Sequence, residues 1–310
     1  MGPELLTLGE PMLEFSELPT SEGGKKLYLQ GYGGDSSNAA VAAARQGARV
    51  GTMTALGRDA AGDAFLALWR EEGIDTSGVK RDPVHPTGVY FITHDAGGHR
   101  FSYLRKESAA AHFGPADLPR ELVARARILL ASGISLGISP AAADAVFAAI
   151  EIARGAGGRV AIDTNYRPLL WPPARAAAEI HAAIAMSDIA LVSEEDARAL
   201  TGRETPGAIL DFYCGLGPAI VVLKRGKEGA ILATEGRRIG LPAPTVPAVD
   251  ATGAGDVFAG AFLARLLDGD GADEAARHAV VAAALSTTGY GAVAPIPLAS
   301  QVRAALAGQA

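Results

Sequence analysis

Between residues 127 and 202 the chain reads RILLASG (127–133), AAADAVFAAIEIARG (141–155), RVAIDTN (159–165), PARAAAEIHAAIAM (173–186), DIALVS (188–193) and EEDARALTG (194–202). The first, third and fifth runs are short, continuous and apolar, the pattern of strands buried on both faces. The others are Ala-rich with helical periodicity. Strand and helix alternating in this way predict βαβ units and a mostly parallel sheet. The same rhythm extends outward. ELLTLGE (4–10), ARVGTMTALG (48–57) and AIVVLK (219–224) read as further buried strands, and NAAVAAARQG (38–47) as a helix ending at Gly47.

Two stretches break the rhythm. KKLYLQGYGG (25–34) alternates polar and apolar residues, and TGVYFITHDAGGHRFSYLRK (87–106) reads as a hairpin turning around Asp95–Gly98. Alternation implies strands with one covered face. We expect one domain over 1–310, a three-layer α/β/α body carrying a small inserted β-sheet lid from about 11–33 and 84–112.

Composition narrows the function classes. The 310 residues are 49% hydrophobic with a net charge of -6, which argues against a general nucleic-acid surface. No apolar run approaches the ~18 residues of a membrane span. The start has no basic region followed by an apolar core, so no signal peptide is expected. The single cysteine, Cys214, leaves no internal disulfide and suits a reducing cytoplasm. The six histidines show no metal-ligand spacing.

The chemistry concentrates in Pro247-Ala-Val-Asp-Ala-Thr-Gly-Ala-Gly-Asp-Val-Phe-Ala-Gly-Ala-Phe262. Gly253, Ala254 and Gly255 form a turn leading directly into an apolar helix. The first N–H groups of a helix lack internal partners and carry about half a positive charge, and glycines let an anion approach them. That makes a site for phosphate, or for charge developing in phosphoryl transfer. Asp256 stands in the first turn, placed to take a proton from an attacking hydroxyl. A bare Gly-x-Gly-Asp is more often an ordinary turn. The longer Asp-x-Thr-Gly-Ala-Gly-Asp string is far more specific. No Walker-type P-loop is present.

That string resembles the C-terminal signature of the ribokinase-like (PfkB) sugar kinases. Gly33-Gly34-Asp35-Ser36-Ser37-Asn38, followed by Thr54-Ala55-Leu56-Gly57-Arg58-Asp59, resembles their N-terminal signature, so the resemblance covers essentially the whole chain. It implies substrate contacts at Gly34 and Asn38. Subgroup cues are similar to 2-keto-3-deoxygluconate kinases. Phe101-Ser102-Tyr103-Leu104-Arg105 resembles their substrate strand, Ser132-Gly133-Ile134 a pocket strand, and Asp163-Thr164-Asn165-Tyr166-Arg167-Pro168 with Trp171 their Asp-x-Asn-x-Arg-Pro…Trp segment. A sugar acid carries a carboxylate suited to the planar fork of an arginine. Tyr103 and Arg105 share one face of a strand, and Tyr90 can join them across the hairpin. Tyr90, Tyr103, Arg105, Ile134 and Arg167 are therefore the substrate candidates.

For ATP the resemblance implies Asn165, Ser193, Lys224, Gly226 and Gly229, together with Gly253 and Gly255. Many family members carry Asn-x-x-Glu near the metal and phosphates. Here Ser193-Glu194-Glu195-Asp196 stands in its place, leaving Ser193 and Asp196 as metal-site residues, with Asp196 the candidate ligand. The resemblance implies ATP and Mg²⁺, with a monovalent cation as a further candidate, and a homo-oligomer paired through the lid. Glu10 and Glu14 flank the first strand end, and the sequence does not choose between them. A fructokinase, another sugar kinase of the family and a non-catalytic ligand sensor remain the alternatives.

Overall fold

A computed structural model describes residues 2–18, 23, 25–95 and 98–308. A nine-stranded sheet forms its centre. In chain order the strands are β1 (Leu5–Leu8), β2 (Met12–Glu17), β3 (Tyr28–Gly33), β4 (Val50–Gly57), β5 (Asp75–Asp82), β6 (Gly88–Asp95), β7 (Gly98–Leu104), β8 (Ile128–Ser132), β9 (Arg159–Asp163), β10 (Ile189–Ser193), β11 (Ile220–Lys224), β12 (Ala230–Thr234) and β13 (Arg237–Leu241). The main sheet runs β13-β12-β11-β10-β9-β8-β1-β4-β5. It is parallel from β11 to β5, and β12 and β13 add antiparallel at one edge.

The period of two along a strand sends neighbours to opposite faces. On β1, Leu5 enters one apolar core while Leu6 and Leu8 enter the other. The first core takes helices Asp35–Arg45, Ala60–Glu71, Ala254–Asp268, Ala272–Ser286 and Ala299–Ala307; the second takes Pro140–Gly155, Pro173–Ala185 and Pro206–Gly215. The expected α/β/α layering is present. Phe262 is fully buried in the first core, so its truncation to Ala would cost about 3–5 kcal/mol.

β5 lies outside the strands read from sequence. Its Asp-Thr-Ser-Gly-Val-Lys-Arg-Asp composition is polar because it closes one edge of the sheet. The helix expected from residue 38 begins at Asp35, immediately after Gly34. Gly34 has φ +97°, and a Cβ there would sit 2.3 Å from the Glu10 carbonyl oxygen, so only glycine fits.

The second sheet runs β3-β2-β6-β7, with β2–β3 and β6–β7 antiparallel and β2–β6 parallel. The hairpin register pairs Tyr90 with Tyr103 and Asp95 with Gly98. The turn expected at Ala96–Gly97 lies outside the described residues. Among the described residues, no helix is long and apolar enough to cross a membrane.

Candidate active site

Helix Ala254–Asp268 crosses helix Asp35–Arg45 at unusually short range. A Cβ on Gly260 would stand 2.2 Å from the Ala39 carbonyl oxygen and 2.8 Å from the Ala42 Cβ, so glycine is required there. The Ala-rich sequence of the first helix allows the same approach. The close approach joins the two helices by a side-chain hydrogen bond: Asn38 Nδ2 donates to Asp256 Oδ2 at 2.9 Å. Asn165 Nδ2 donates to Asp256 Oδ1 at 3.3 Å and to Asp35 Oδ2 at 3.2 Å. Asn165 is buried and holds φ +30°, a conformation that asparagine tolerates better than most residues. The Ser132 hydroxyl also donates to Asp35.

Asp256 follows Gly253, Ala254 and Gly255 in the first turn of its helix and keeps part of its surface open. Desolvation by the surrounding protein, with the nearby Asp35 carboxylate second, pushes its pKa up to about 7. Asn38 and Lys224 oppose the rise. A carboxyl with a pKa near neutrality, at the positive end of a helix, is suited to taking up a proton during reaction.

Lys224 ends β11 and donates to Asp163 Oδ2 at 2.6 Å, at the end of β9. A Cβ added at Gly255 would lie 3.5 Å from Lys224 Nζ, so this ammonium flanks the Gly-rich turn. Burial holds Asp163 above the usual carboxylate range against the pull of Lys224. The second oxygens of Asp163 and Asp35, and the Asn38 side-chain carbonyl, are buried without a partner. These orphaned hard oxygens, the ammonium and the exposed helix start suit a magnesium-bound polyphosphate.

The remaining residues divide. Asp196 accepts from Thr164 Oγ1 at 2.9 Å and from the Tyr166 backbone at 3.2 Å, so one of its oxygens fixes the loop that carries Asn165. Burial raises its pKa. Ser193 caps helix Glu194–Thr201 by accepting from Asp196 N at 3.4 Å. Gly226 and Gly229 flank the turn after Lys224, where the Arg225 N–H donates to the Gly229 carbonyl at 2.8 Å. Arg167 is exposed and follows β9 and Asn165. Ile134 is buried in the short helix Gly133–Gly137.

The smaller sheet carries the other candidates. The Tyr90 hydroxyl donates to Glu14, and its ring lies 5.7 Å from that of Tyr103. Burial and Glu14 raise the Tyr90 pKa. Arg105 forms an ion pair with the fully buried Glu10 side chain, and Ser108 donates to Glu10 Oε1 at 2.5 Å. Burial raises the Glu10 pKa while Arg105 lowers it. Both glutamates left open by the sequence thus have protein partners. Arg105 keeps a buried Nε without a hydrogen-bond partner. Asp35 and Asp163 were quoted in motifs without an assigned role. A buried carboxylate beside another carboxylate is the signal, and only the fold supplies it.

A match to the pfkB family of carbohydrate kinases spans residues 8–299. The chain is 34% identical over 287 residues to a 2-dehydro-3-deoxygluconokinase of Thermoproteus tenax, covering 91% of this chain and 87% of that protein. It is 31% identical over 322 residues to fructokinase-2 of Solanum habrochaites, covering 99% and 97%. The crystal structure of a Xylella fastidiosa fructokinase with bound ATP superposes with a TM-score of 0.90 at 25% identity, covering 99% of both chains.

Proposed function

Because the chain belongs to the pfkB family of carbohydrate kinases and has the ribokinase-like fold, we propose that it transfers the γ-phosphoryl group of ATP to the 6-hydroxyl of 2-keto-3-deoxy-D-gluconate. The observation that carries the acid-specific reading is Arg105. Its fork lies beside Tyr103 on the smaller sheet, 5.8 Å from guanidinium carbon to ring centroid, with a buried Nε still lacking a hydrogen-bond partner. A substrate carboxylate can accept from that nitrogen. The resemblance to the Thermoproteus enzyme supports the same choice.

In this reading the substrate lies between the main sheet and the smaller one, which acts as a lid over a single kinase unit spanning 1–310. Asp256 takes the proton of the attacking hydroxyl. Asn38 and Asn165 hold the carboxylate in place from two sides. The N–H groups from Gly253 to Asp256 face the negative charge of the moving phosphoryl group, and Lys224 adds a positive charge beside them. Mg²⁺, when bound, neutralises the ATP phosphates, and Asp163, Asp35 and Asp196 are the hard-oxygen candidates to hold it directly or through water. Gly226 and Gly229 shape the nucleotide loop. Leu29, Phe101 and Leu104 are exposed on the smaller sheet, and we place the contact of a cytoplasmic homo-oligomer there.

A fructokinase activity is the competing reading, supported by the similarity to fructokinase-2. Mass spectrometry and ³¹P–¹H NMR of the product formed from ATP and 2-keto-3-deoxygluconate test the proposal. One phosphate on the 6-oxygen supports it. No phosphorylated sugar acid refutes it.

A further inference from the structure

His85, 22 positions before Glu107, meets Glu107 and His112 where the smaller sheet joins the body. His85 precedes β6, while Glu107 and His112 follow β7. The two imidazoles stack with centroids 3.6 Å apart and planes 18° from parallel. His112 Nε2 lies 3.2 Å from Glu107 Oε2. One ligand atom from each of the three residues lies within 4.8 Å of the other two. A fourth group points to coordination: Asp82 Oδ2 stands 3.3 Å from His85 Nδ1. Asp82 Oδ1 is itself fixed by the backbone N–H groups of Val84 and His85, at 2.8 and 2.9 Å. His85 Nδ1 is buried without an aligned hydrogen-bond partner; with its proton turned onto the Asp82 carboxylate it leaves the Nε2 lone pair free for an ion, the usual outer support of a metal-bound histidine.

We propose that His85, Glu107 and His112 bind a transition-metal dication of the Zn²⁺ class, which ties together the two roots of the smaller sheet. Two imidazoles with one carboxylate and a water make a four-coordinate set that suits Zn²⁺ and suits Mg²⁺ poorly. Stacked rings direct their nitrogens side by side, so the shared ion requires His112, the more exposed ring, to rotate. The roots already touch: the Ala109 N–H donates to the Pro86 carbonyl at 2.7 Å. Ser108, beside Glu107, reaches Glu10 and through it the Arg105 pair. An ion here therefore restrains the segment that carries Tyr90, Tyr103 and Arg105, without touching Asp256.

The test uses the full chain with Cys214→Ser, which removes a competing thiol, in buffer containing excess Mg²⁺. Titration with Co²⁺ should show one equivalent bound with the strong visible absorption of a four-coordinate ion, displaced by Zn²⁺. His112→Ala and His85→Ala should each abolish that spectrum, and Asp82→Asn should weaken binding about 10–100-fold. Hydrogen exchange of residues 88–104 should slow with Zn²⁺ in the parent and stay unchanged in His112→Ala. Absence of uptake, or equal uptake by both histidine variants, overturns the site. Uptake with no change in exchange overturns the restraint.

Discussion

Asn38 and Asp256, 218 positions apart in sequence, share a 2.9 Å hydrogen bond. It exists because the two helices carrying them touch at Gly260. The contact places a carboxylate of raised pKa in the first turn of a helix, directly after Gly255, and the proposed chemistry depends on that pairing.

Asp256→Asn should lower kcat by at least ~10²-fold, the scale of a general base, while the far-ultraviolet circular dichroism remains unchanged. The same variant reports on stability. Asp256 in the folded chain has its pKa pushed up to about 7, above the ordinary aspartate value of about 4, so the folded state binds more protons between those values. Stability therefore falls as pH rises from about 4 through about 7. Asp256→Asn escapes that loss, so thermal melts should place it above the wild type at pH 8, with the gap closing toward pH 4.

Asp35→Asn should move the acid limb of kcat/KM to lower pH. The base works when deprotonated, so activity rises with pH through the Asp256 pKa. Removing the Asp35 charge removes the second-largest cause of the upward shift. A pH profile whose acid limb stays in place would separate Asp35 from the titration of Asp256.

How much of this was legible in the sequence follows from the range of the interactions. The runs at 127–202 gave strands and helices nearly to their ends, because local periodicity suffices for elements buried on both faces. The Gly253–Asp256 string located the helix start for the same local reason. β5 escaped because an edge strand can remain polar. Asp35 escaped because its neighbours Ser132, Asn165 and Asp256 arrive from three other elements. The strand alternation put Arg105 on the Tyr103 face, where its guanidinium lies, but its pairing with Glu10, 95 positions away, has no sequence signature.

That pairing changes the expected behaviour of Arg105→Ala. The substitution leaves the buried Glu10 with the Ser108 hydroxyl but no counter-charge, so it should destabilise the fold as well as weaken the sugar acid. Glu10→Gln in the same chain should recover much of the stability without recovering affinity. A lost charge-assisted hydrogen bond should raise KM for the sugar acid about 10–100-fold and change fructose kinetics much less. Arg105→Lys should restore part of the loss, since the ammonium keeps the charge without the fork. An equal loss on both substrates would make Arg105 structural.

Excess chelator should abolish turnover, and Mg²⁺ should restore it, because the phosphates of ATP require charge neutralisation beside Asp163 and Asp35. A coupled ADP-release assay reads this directly. Full activity in chelator would contradict the assignment of these oxygens.

Acid-specific phosphoryl transfer is read out by the ratio of kcat/KM for 2-keto-3-deoxygluconate to that for fructose. Measured with saturating MgATP at one pH, the ratio should exceed ~10, the lower end of what one charge-assisted contact supplies, and should collapse toward one in Arg105→Ala. A ratio at or below one in the wild-type enzyme would contradict the account and assign this site to a neutral sugar.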